Sequence, residues 1–583
     1  MAVPHIRRAW AFGDARAVRL SPLLDLVVGL LIVLALPLAI VTIPNTVSVV
    51  ADLLPADVSR VDMTRAYGMA LPGLLVTVPL AVLAARRLRA APLLLAGLAL
   101  LAGAETAGGF ATSPLFAGVL RALQGVGGGL LVCATLLAAW ERYGTARRVL
   151  LSLWAGALAA SLLTAQALAL WPLDQATSWQ VTLQPYPLVT GLALAVGAAY
   201  LVLWLVTGDA RATRPEAAVP GRLPAAAAPA VGIAALALGT TFDWPSPLIL
   251  AAAGVAVVVL FALALFGAPD GTPGRTLAIA MTVAGLVVLP TAAQTTYVEL
   301  RGVGGPGLIG LWVPFAIAVA AGLAVPVLAD RLTRRAAARA AEAHPGRADA
   351  RDGAGGAHLV TRSVRGGLAV LVAGLAAIRL LVPDADGMVL TVPFTLITVG
   401  AAVALAAGLW EASAGAALFA LTLCFPGVLA GFLLGTGMQI ARVRAAVKHL
   451  PDPGPQALVD GFVASLHTWA LVGGFTVVAG LALTAIRLRR RADGDAGGDA
   501  DGAPGEASPG GHGAGSAAER SHDHTPPTVA MDVLVAGGRP VVPPPSPSPE
   551  ASFGPVGDTG RPEPPRDRRG RDGDEGRPEG HDG

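Results

Sequence analysis

An apolar run from about Leu115 to Ala139 contains the sequence Arg121-Ala122-Leu123-Gln124-Gly125-Val126-Gly127-Gly128-Gly129. The run is long enough to cross a bilayer, for which roughly 20 residues suffice. An arginine inside such a run costs about 2.5–3.5 kcal/mol on insertion scales, so its side chain is expected to face protein or a water-filled cavity. The glycines after it allow another helix to approach closely. Two interpretations stay open: a solute or proton path beside the buried cation, or a packing motif whose arginine bonds a neighbour's carbonyls.

The composition of the whole chain is that of a polytopic membrane protein. Hydrophobic residues make up 54% of the 583 residues, charged residues make up 14%, and the mean hydropathy is +0.64. The net charge is +3 and Lys448 is the single lysine, so nucleic-acid binding has no support. Cys133 and Cys424 fall in apolar runs, where small apolar roles are expected rather than a disulfide or a metal pair. Because the sequence has no phosphate-binding loop, metal-ligand cluster or nucleophile–base spacing, we expect neither an enzyme nor a cofactor.

Apolar runs near the length of a membrane span recur along the chain and predict an all-α protein with about fourteen transmembrane helices. The predicted spans are 22–43, 66–85, 91–111, 115–139, 149–171, 186–207, 225–243, 246–266, 276–298, 306–329, 367–383, 389–410, 413–438 and 466–486. The predicted domains are a cytoplasmic N-terminus at 1–21, a six-helix bundle at 22–210, an inserted helix pair at 225–268, and a second six-helix bundle at 275–487 with a cytoplasmic linker at 330–366. Residues 488–583 are rich in Gly, Pro, Asp, Arg and Ser, which predicts a disordered cytoplasmic tail.

The distribution of arginines predicts the orientation. Basic residues cluster after the second, fourth, sixth and tenth spans, so these loops and both termini are predicted to be cytoplasmic. Arg442, Arg444 and Lys448 lie on the predicted outer side and disagree with this pattern. They indicate either a short surface helix or an error in the last spans.

Two segments of the chain resemble each other. Val82-Leu-Ala-Ala-Arg-Arg-Leu-Arg89 closes the second span, and Val327-Leu-Ala-Asp-Arg-Leu-Thr-Arg334 closes the tenth. Both are apolar helix ends that run into a basic loop. Related halves are typical of secondary transporters, which rock two bundles around a central site.

The fourth-span motif Arg121-x-x-Gln124-Gly125-x-Gly127, the number of spans and the basic turn after the second span resemble the major facilitator superfamily, and most closely its fourteen-span drug:proton antiporter branch. Further similarities are Ile43-Pro44, Ala66-Tyr67, Trp179-Gln180, Asp243-Trp244 and Gln294. The sequence also departs from that branch. Ala85 and Leu88 replace an expected Asp and Gly, Ala35 stands about where a first-span acid is expected, and the fifth span has no proline between Trp154 and Ala160.

Proton coupling needs an acid that can change charge inside the membrane. Glu105 and Arg121 each lie about six residues from the outer end of their span, so a rise of about 1.5 Å per residue places them at similar depth. The two spans are antiparallel neighbours, and we therefore hypothesise a Glu105–Arg121 pair. The pair would either exchange protons or be a permanent structural ion pair.

The resemblance also implies where the solute and the conformational change would be. In this superfamily the first and fourth helices of each bundle line the cavity, which points to Arg121, Gln124, Thr291, Gln294, Tyr297, Thr391, Thr395 and Thr398. Tyr67, on the second span, would border the cavity. The residues that match its conformational motifs are Arg86, Arg89, Gly125, Gly127, Asp330, Arg331 and Arg334. Polar groups this sparse suit an amphipathic or weakly polar solute.

We therefore predict a multi-pass protein of a bacterial inner membrane that exports a small organic or amphipathic solute in exchange for protons. Its partners would be the lipid bilayer, the solute and protons, and we expect a monomer. One alternative is a non-transporting scaffold that binds a protein partner through its tail, and deletion of the tail would separate the two. The other is a facilitator or importer without proton coupling, whose flux would ignore a pH gradient.

Overall fold

The computed structural model describes the backbone of residues 6–47, 49–174, 176–207, 230–235, 245–300, 307–343, 348–383, 387–447 and 455–498. Its helices are α1 (Ile6–Ile40), α2 (Arg60–Tyr67), α3 (Ala70–Ala84), α4 (Ala90–Gly108), α5 (Pro114–Trp140), α6 (Gly144–Leu170), α7 (Pro187–Thr207), α8 (Ser246–Phe266), α9 (Gly271–Leu300), α10 (Gly307–Ala343), α11 (Ala348–Leu381), α12 (Thr391–Glu411), α13 (Ala414–Val447) and α14 (Pro455–Gly498). Short 3-10 helices lie at Ala51–Leu53, Trp171–Leu173, Trp179–Leu183 and Met388–Leu390. The predicted all-α class is confirmed.

Thirteen helices within the described residues are long and apolar enough to cross a membrane. Each corresponds to one of the fourteen predicted spans. The seventh predicted span, 225–243, lies mostly outside the described residues, as do the predicted tail beyond 498 and part of the linker. The last two spans are longer than predicted, because α13 continues to Val447 and α14 already begins at Pro455. Arg442 and Arg444 therefore extend α13 and do not form a separate surface helix.

The glycines of α5 make it the centre of the first set of helices, α1 to α7. A Cβ atom on Gly125 would lie 2.0 Å from the carbonyl oxygen of Ala70 in α3, and one on Gly128 would lie 3.0 Å from that of Ala39 in α1. On Gly127 it would lie 2.9 Å from the carbonyl oxygen of Gly97 in α4. Since no larger residue fits these contacts, the run 125–129 lets three helices approach the backbone of α5.

The second set of helices, α9 to α14, repeats the packing of the first. The helices of each set can be numbered one to six in chain order, with α2 and α3 counted as one helix. In both sets, helix one contacts helices four, five and six, helix two contacts helix four, and helix three contacts helices four and six. In both sets the third and fourth helices pack closely through a pair of glycines. These are Gly97 and Gly127 in the first set, and Gly367 of α11 and Gly400 of α12 in the second. The similarity between Val82–Arg89 and Val327–Arg334 is thus accompanied by similar packing in the two sets.

The two sets meet along an interface, called the seam below, to which each set contributes its second and its fifth helix. The fifth helix of the first set, α6, packs on the second helix of the other, α10, and the second helix of the first set, α3, packs on the fifth of the other, α13. Helix α6 also packs on α9 and α12. At the middle of α6, a Cβ on Gly156 would lie 2.3 Å from the carbonyl oxygen of Gly322, so the two backbones touch. Trp410 Nε1 donates to Ser152 Oγ at 3.1 Å nearby.

Candidate functional site

Arg121 is buried near the start of α5 and bonded to the end of α1. Its side chain is 3% exposed. One terminal nitrogen donates to the carbonyl oxygens of Thr42 at 2.7 Å and Pro44 at 3.0 Å, and the other donates to Gln124 Oε1 at 3.1 Å. The guanidinium lies over the ring of Tyr67, 5.2 Å from its centroid, where the face of the ring attracts a cation. The charge is thus neutralised by carbonyl dipoles and a ring rather than by a carboxylate.

Gln124 and Tyr67 bind the 3-10 helix Trp179–Leu183 to the same place. Gln124 Nε2 donates to the carbonyl oxygen of Leu183 at 2.7 Å, and the hydroxyl groups of Tyr67 and Thr182 are hydrogen-bonded. Both side chains are 1% exposed. The structure therefore brings Tyr67, Arg121 and Gln124 together, but as a closed clasp of α1, α2, α5 and this 3-10 helix. Their role as cavity residues stays a prediction.

Glu105 does not pair with Arg121, and the hypothesis of a direct ion pair is wrong for this structure. The Glu105 side chain is 3% exposed and faces α7, where Thr190 is its polar neighbour. Glu105 Oε2 and Thr190 Oγ1 are both buried without a hydrogen bond of good geometry. The reason is rotational: the two residues were placed at equal depth, but Arg121 faces α1 and α2 whereas Glu105 faces α7. Depth along a helix does not fix the direction of a side chain.

Of the predicted cavity residues in the second set, Thr291, Gln294 and Thr398 make close contacts in the structure, whereas the hydroxyl groups of Thr391 and Thr395 have no hydrogen-bond partner. Thr291 is buried and accepts a hydrogen bond from Trp469 Nε1 at 2.9 Å, and the Gln294 side chain lies against the backbone of Gly435. The hydroxyl of Thr398 donates to the carbonyl oxygen of Phe394 at 2.7 Å, while its methyl group meets Gly322. The side chain of Tyr297 lies outside the described residues.

Thr391 and Thr395 differ from the other predicted cavity threonines. Their hydroxyl groups are buried without a hydrogen-bond partner, although threonines in helices normally bond the carbonyl one turn earlier, as Thr398 does. The spacing 391, 395, 398 places all three on one face of α12. Thr398 on that face meets Gly322 of α10, the glycine that also touches Gly156 at the seam.

Sequence reasoning missed a buried hydroxyl group on α6. Ser161 lies five residues after Gly156, and its buried Oγ also lacks a hydrogen-bond partner. At 3.6 residues per turn, Ser161 is rotated by about 140° from Gly156, so it does not share the face of α6 that meets Gly322. A lone serine in an apolar helix gives no signal of its function in the sequence.

The predicted conformational motifs lie at helix ends and helix crossings. Asp330 is fully buried near the end of the tenth span and is ion-paired with Arg334, while Arg331 is exposed. In the first set Arg86 and Arg89 lie in the turn between α3 and α4, where Glu141 Oε1 accepts from the N–H of Ala90 at 3.1 Å. Gly125 and Gly127 make the packing contacts described above.

An ion pair that the sequence analysis did not anticipate joins the first helix to the end of α5. Arg142 Nε donates to Asp25 Oδ1 at 2.5 Å, and Arg142 also donates to Ser21 Oγ at 3.0 Å. The distance of 117 residues between the partners hides the pair from sequence inspection.

Cys133 and Cys424 are free and buried, as predicted. In the described part of the chain there is no group of three or more His, Cys, Asp or Glu side chains that could hold a metal ion.

Comparison with known proteins gives similarity to solved structures alone, since no family model and no curated protein matches the sequence. The chain is similar to the MFS (major facilitator superfamily) proton:xylose symporter XylE, at 14% identity and a TM-score of 0.46 over 78% of this chain and 94% of that one. It is similar to the human organic anion transporter MFSD10 (TETRAN), at 14% and 0.45 over 80% and 99%. It is also similar to the peptide transporter POT in complex with sulfate, at 16% and 0.49 over 81% and 94%.

Proposed function

We propose that this chain is a secondary transporter of the major facilitator type, which moves a small organic or amphipathic solute outward in exchange for protons. The observation that supports it best is the reciprocal seam between two similarly packed sets of six helices. Contacts of α6 with α10 and of α3 with α13 are related by exchange of the two sets. Such an arrangement allows one set to rock against the other and expose a central site to each side in turn.

The solute would bind beside α12, next to the seam. Thr391 and Thr395 offer buried hydroxyl groups that form no hydrogen bond within the described protein, and the helix that carries them is otherwise largely apolar. Unsatisfied polar groups in an apolar environment are costly, so a ligand that bonds them gains affinity. This combination suits a solute with a few hydrogen-bonding groups and a large apolar surface, as predicted from the sequence.

Glu105 is the proposed proton carrier. It is a buried acid with one carboxylate oxygen free of hydrogen bonds, and no cation neutralises it in the described residues. Such an acid can take up and release a proton when water reaches it. Because Glu105 faces α7 and not Arg121, coupling would pass through movement of α4 against α7 rather than through a direct charge pair.

Proton movement in inverted membrane vesicles tests this proposal. A pH gradient is imposed, a panel of lipophilic cations, dyes and antibiotics is added, and the gradient is followed with a pH-sensitive dye. We expect a transported compound to collapse the gradient with the wild-type protein and not with Glu105→Gln, which keeps the size of the side chain. Thr106→Val, which removes an exposed hydroxyl one position away, is the control and should behave as wild type.

If the flux of the compound through Glu105→Gln depends on the pH gradient as strongly as the flux through the wild type does, Glu105 is not the proton carrier. If the compound is moved at a rate that the gradient does not alter even in the wild-type protein, the chain is an uncoupled facilitator.

A further inference from the structure

A cavity of about 620 Å³ lies where three spans reach the same face of the membrane. The cavity is lined by the end of α8, the start of α9 and the part of α14 where its apolar span ends, and six of its residues are Leu265, Asp270, Thr272, Arg275, Ile279 and Leu483. The corresponding spans are Pro247–Phe266, Gly271–Thr296 and Gln456–Ala485. Each lining residue therefore lies within a few residues of a span end or in the turn between spans, at the depth of lipid headgroups.

Two arginines without a carboxylate partner lie in or next to this cavity. Arg275 lines it, and the Arg275 Nε is buried without a hydrogen bond. Arg365 of α11 lies next to it and donates one hydrogen bond, at 3.1 Å, to the carbonyl oxygen of the lining residue Thr484, and its Nε is likewise buried and unbonded. Neither arginine forms an ion pair with the residues that the structure describes. A buried guanidinium N–H without an acceptor indicates a site for an anion.

The acid at the cavity does not supply this acceptor. Asp270 Oδ2 accepts a hydrogen bond from the N–H of Ser413 at 2.8 Å, so the carboxylate caps the start of α13. No ion pair joins it to Arg275 in the described structure, although the two residues are five positions apart. Asp270 therefore orients the turn between α8 and α9 and leaves the arginines to bind another anion.

We propose that this cavity binds a phosphate group, and that the group is the headgroup phosphate of an anionic phospholipid. A guanidinium donates two parallel hydrogen bonds to phosphate oxygens, and basic pockets between spans bind anionic headgroups. The apolar side of the cavity, formed by Leu265, Ile279 and Leu483, suits the glycerol and first acyl carbons. The site would tie the peripheral helix α8 to the second set.

Native mass spectrometry of the full chain in detergent tests the proposal, with phosphatidylglycerol and phosphatidylcholine as probes. We expect the wild-type protein to retain phosphatidylglycerol at lower concentration than phosphatidylcholine. Arg275→Gln with Arg365→Gln should weaken retention at least about tenfold, since each basic residue contributes about 1 kcal/mol to binding of an anionic lipid surface. Arg379→Gln is the matched control: Arg379 also lies on α11 and bonds a carbonyl of α14, that of His467, but at the other end of the helix.

Leu265→Trp narrows the apolar side of the cavity and keeps both arginines, so it should also lower retention. Equal retention by the wild type and the double variant would overturn the proposal, and full retention by Leu265→Trp would show that the acyl carbons do not lie beside Leu265. Inorganic phosphate distinguishes the source. If millimolar phosphate displaces the lipid and binds alone with similar affinity, the site takes soluble phosphate and the lipid assignment is wrong. Size-exclusion profiles and melting curves of each variant confirm that it is folded.

Discussion

Arg121 shows how a residue with a costly charge becomes a structural centre. Its guanidinium is almost fully buried, yet it has two backbone carbonyls, an amide oxygen and an aromatic ring as partners. Of the two interpretations that the sequence left open, this structure displays the second, in which the arginine bonds a neighbour's carbonyls. A solute path beside it is not formed here, because Gln124 and Tyr67 close the site.

Arg121→Gln is expected to reduce the stability of the protein. Hydrogen bonds to a charged group contribute about 1.5–3 kcal/mol each, and the shorter glutamine cannot reach the carbonyls of Thr42 and Pro44. We expect the free energy of unfolding to fall by about 2–4 kcal/mol, measured by denaturation in detergent micelles. The exposed Arg379→Gln should change it by less than about 0.5 kcal/mol. A wild-type melting curve for Arg121→Gln would show that the clasp does not hold α1 to α5.

At the scale of elements, small residues set the distances between helices. Helix α5 approaches α1, α3 and α4 through Gly128, Gly125 and Gly127, and α11 approaches α12 through Gly367 and Gly400. Inside a membrane, lipid competes equally for apolar side chains, so helices gain stability from close backbone packing rather than from exclusion of water.

Gly125→Ala tests this packing. The new methyl group would lie 2.0 Å from the carbonyl oxygen of Ala70, so α3 and α5 must separate. Overpacking of this kind costs about 1–3 kcal/mol, and we expect a lower melting temperature. Gly103→Ala on α4 is the control, since its methyl group would meet nothing within 4 Å. Alanine favours helices by up to about 1 kcal/mol over glycine, so the control should be neutral or slightly more stable. Equal melting temperatures for both variants would contradict the packing role of Gly125.

At the scale of the whole molecule, the seam is the feature on which the proposed transport depends. Gly156 and Gly322 allow the two backbones to touch, and this contact forms when α6 and α10 are close. A secondary transporter must also visit states in which helices along the seam separate on one side. A substitution that blocks the contact therefore changes the balance of states more than it changes the fold of either set.

Gly156→Ala is predicted to slow transport at least about fivefold. A methyl group 2.3 Å from the carbonyl oxygen of Gly322 disfavours the closed seam by about 1–3 kcal/mol, which shifts a two-state population about 5- to 150-fold. The transport rate is measured as flux in vesicles. The balance between the two states is measured by alkylation of single cysteines introduced on each membrane face. Gly191→Ala on α7, where a methyl group meets nothing within 4 Å, should transport normally. Normal flux in Gly156→Ala would show that transport does not require closure of the seam.

The sequence by itself determined the class of the protein and the order of the thirteen spans that the structure describes, because the bilayer imposes length and hydropathy on each span separately. It also indicated that Arg121 must be satisfied by protein, since an exposed charge in lipid is too costly. Only the tertiary structure determined the partners: Glu105 faces Thr190 and not Arg121, Asp25 pairs with Arg142, and the hydroxyl groups of Thr391 and Thr395 are buried without a partner. These contacts depend on the rotation of each helix and on residues distant in the chain, and neither the depth nor the hydropathy of a span contains that information.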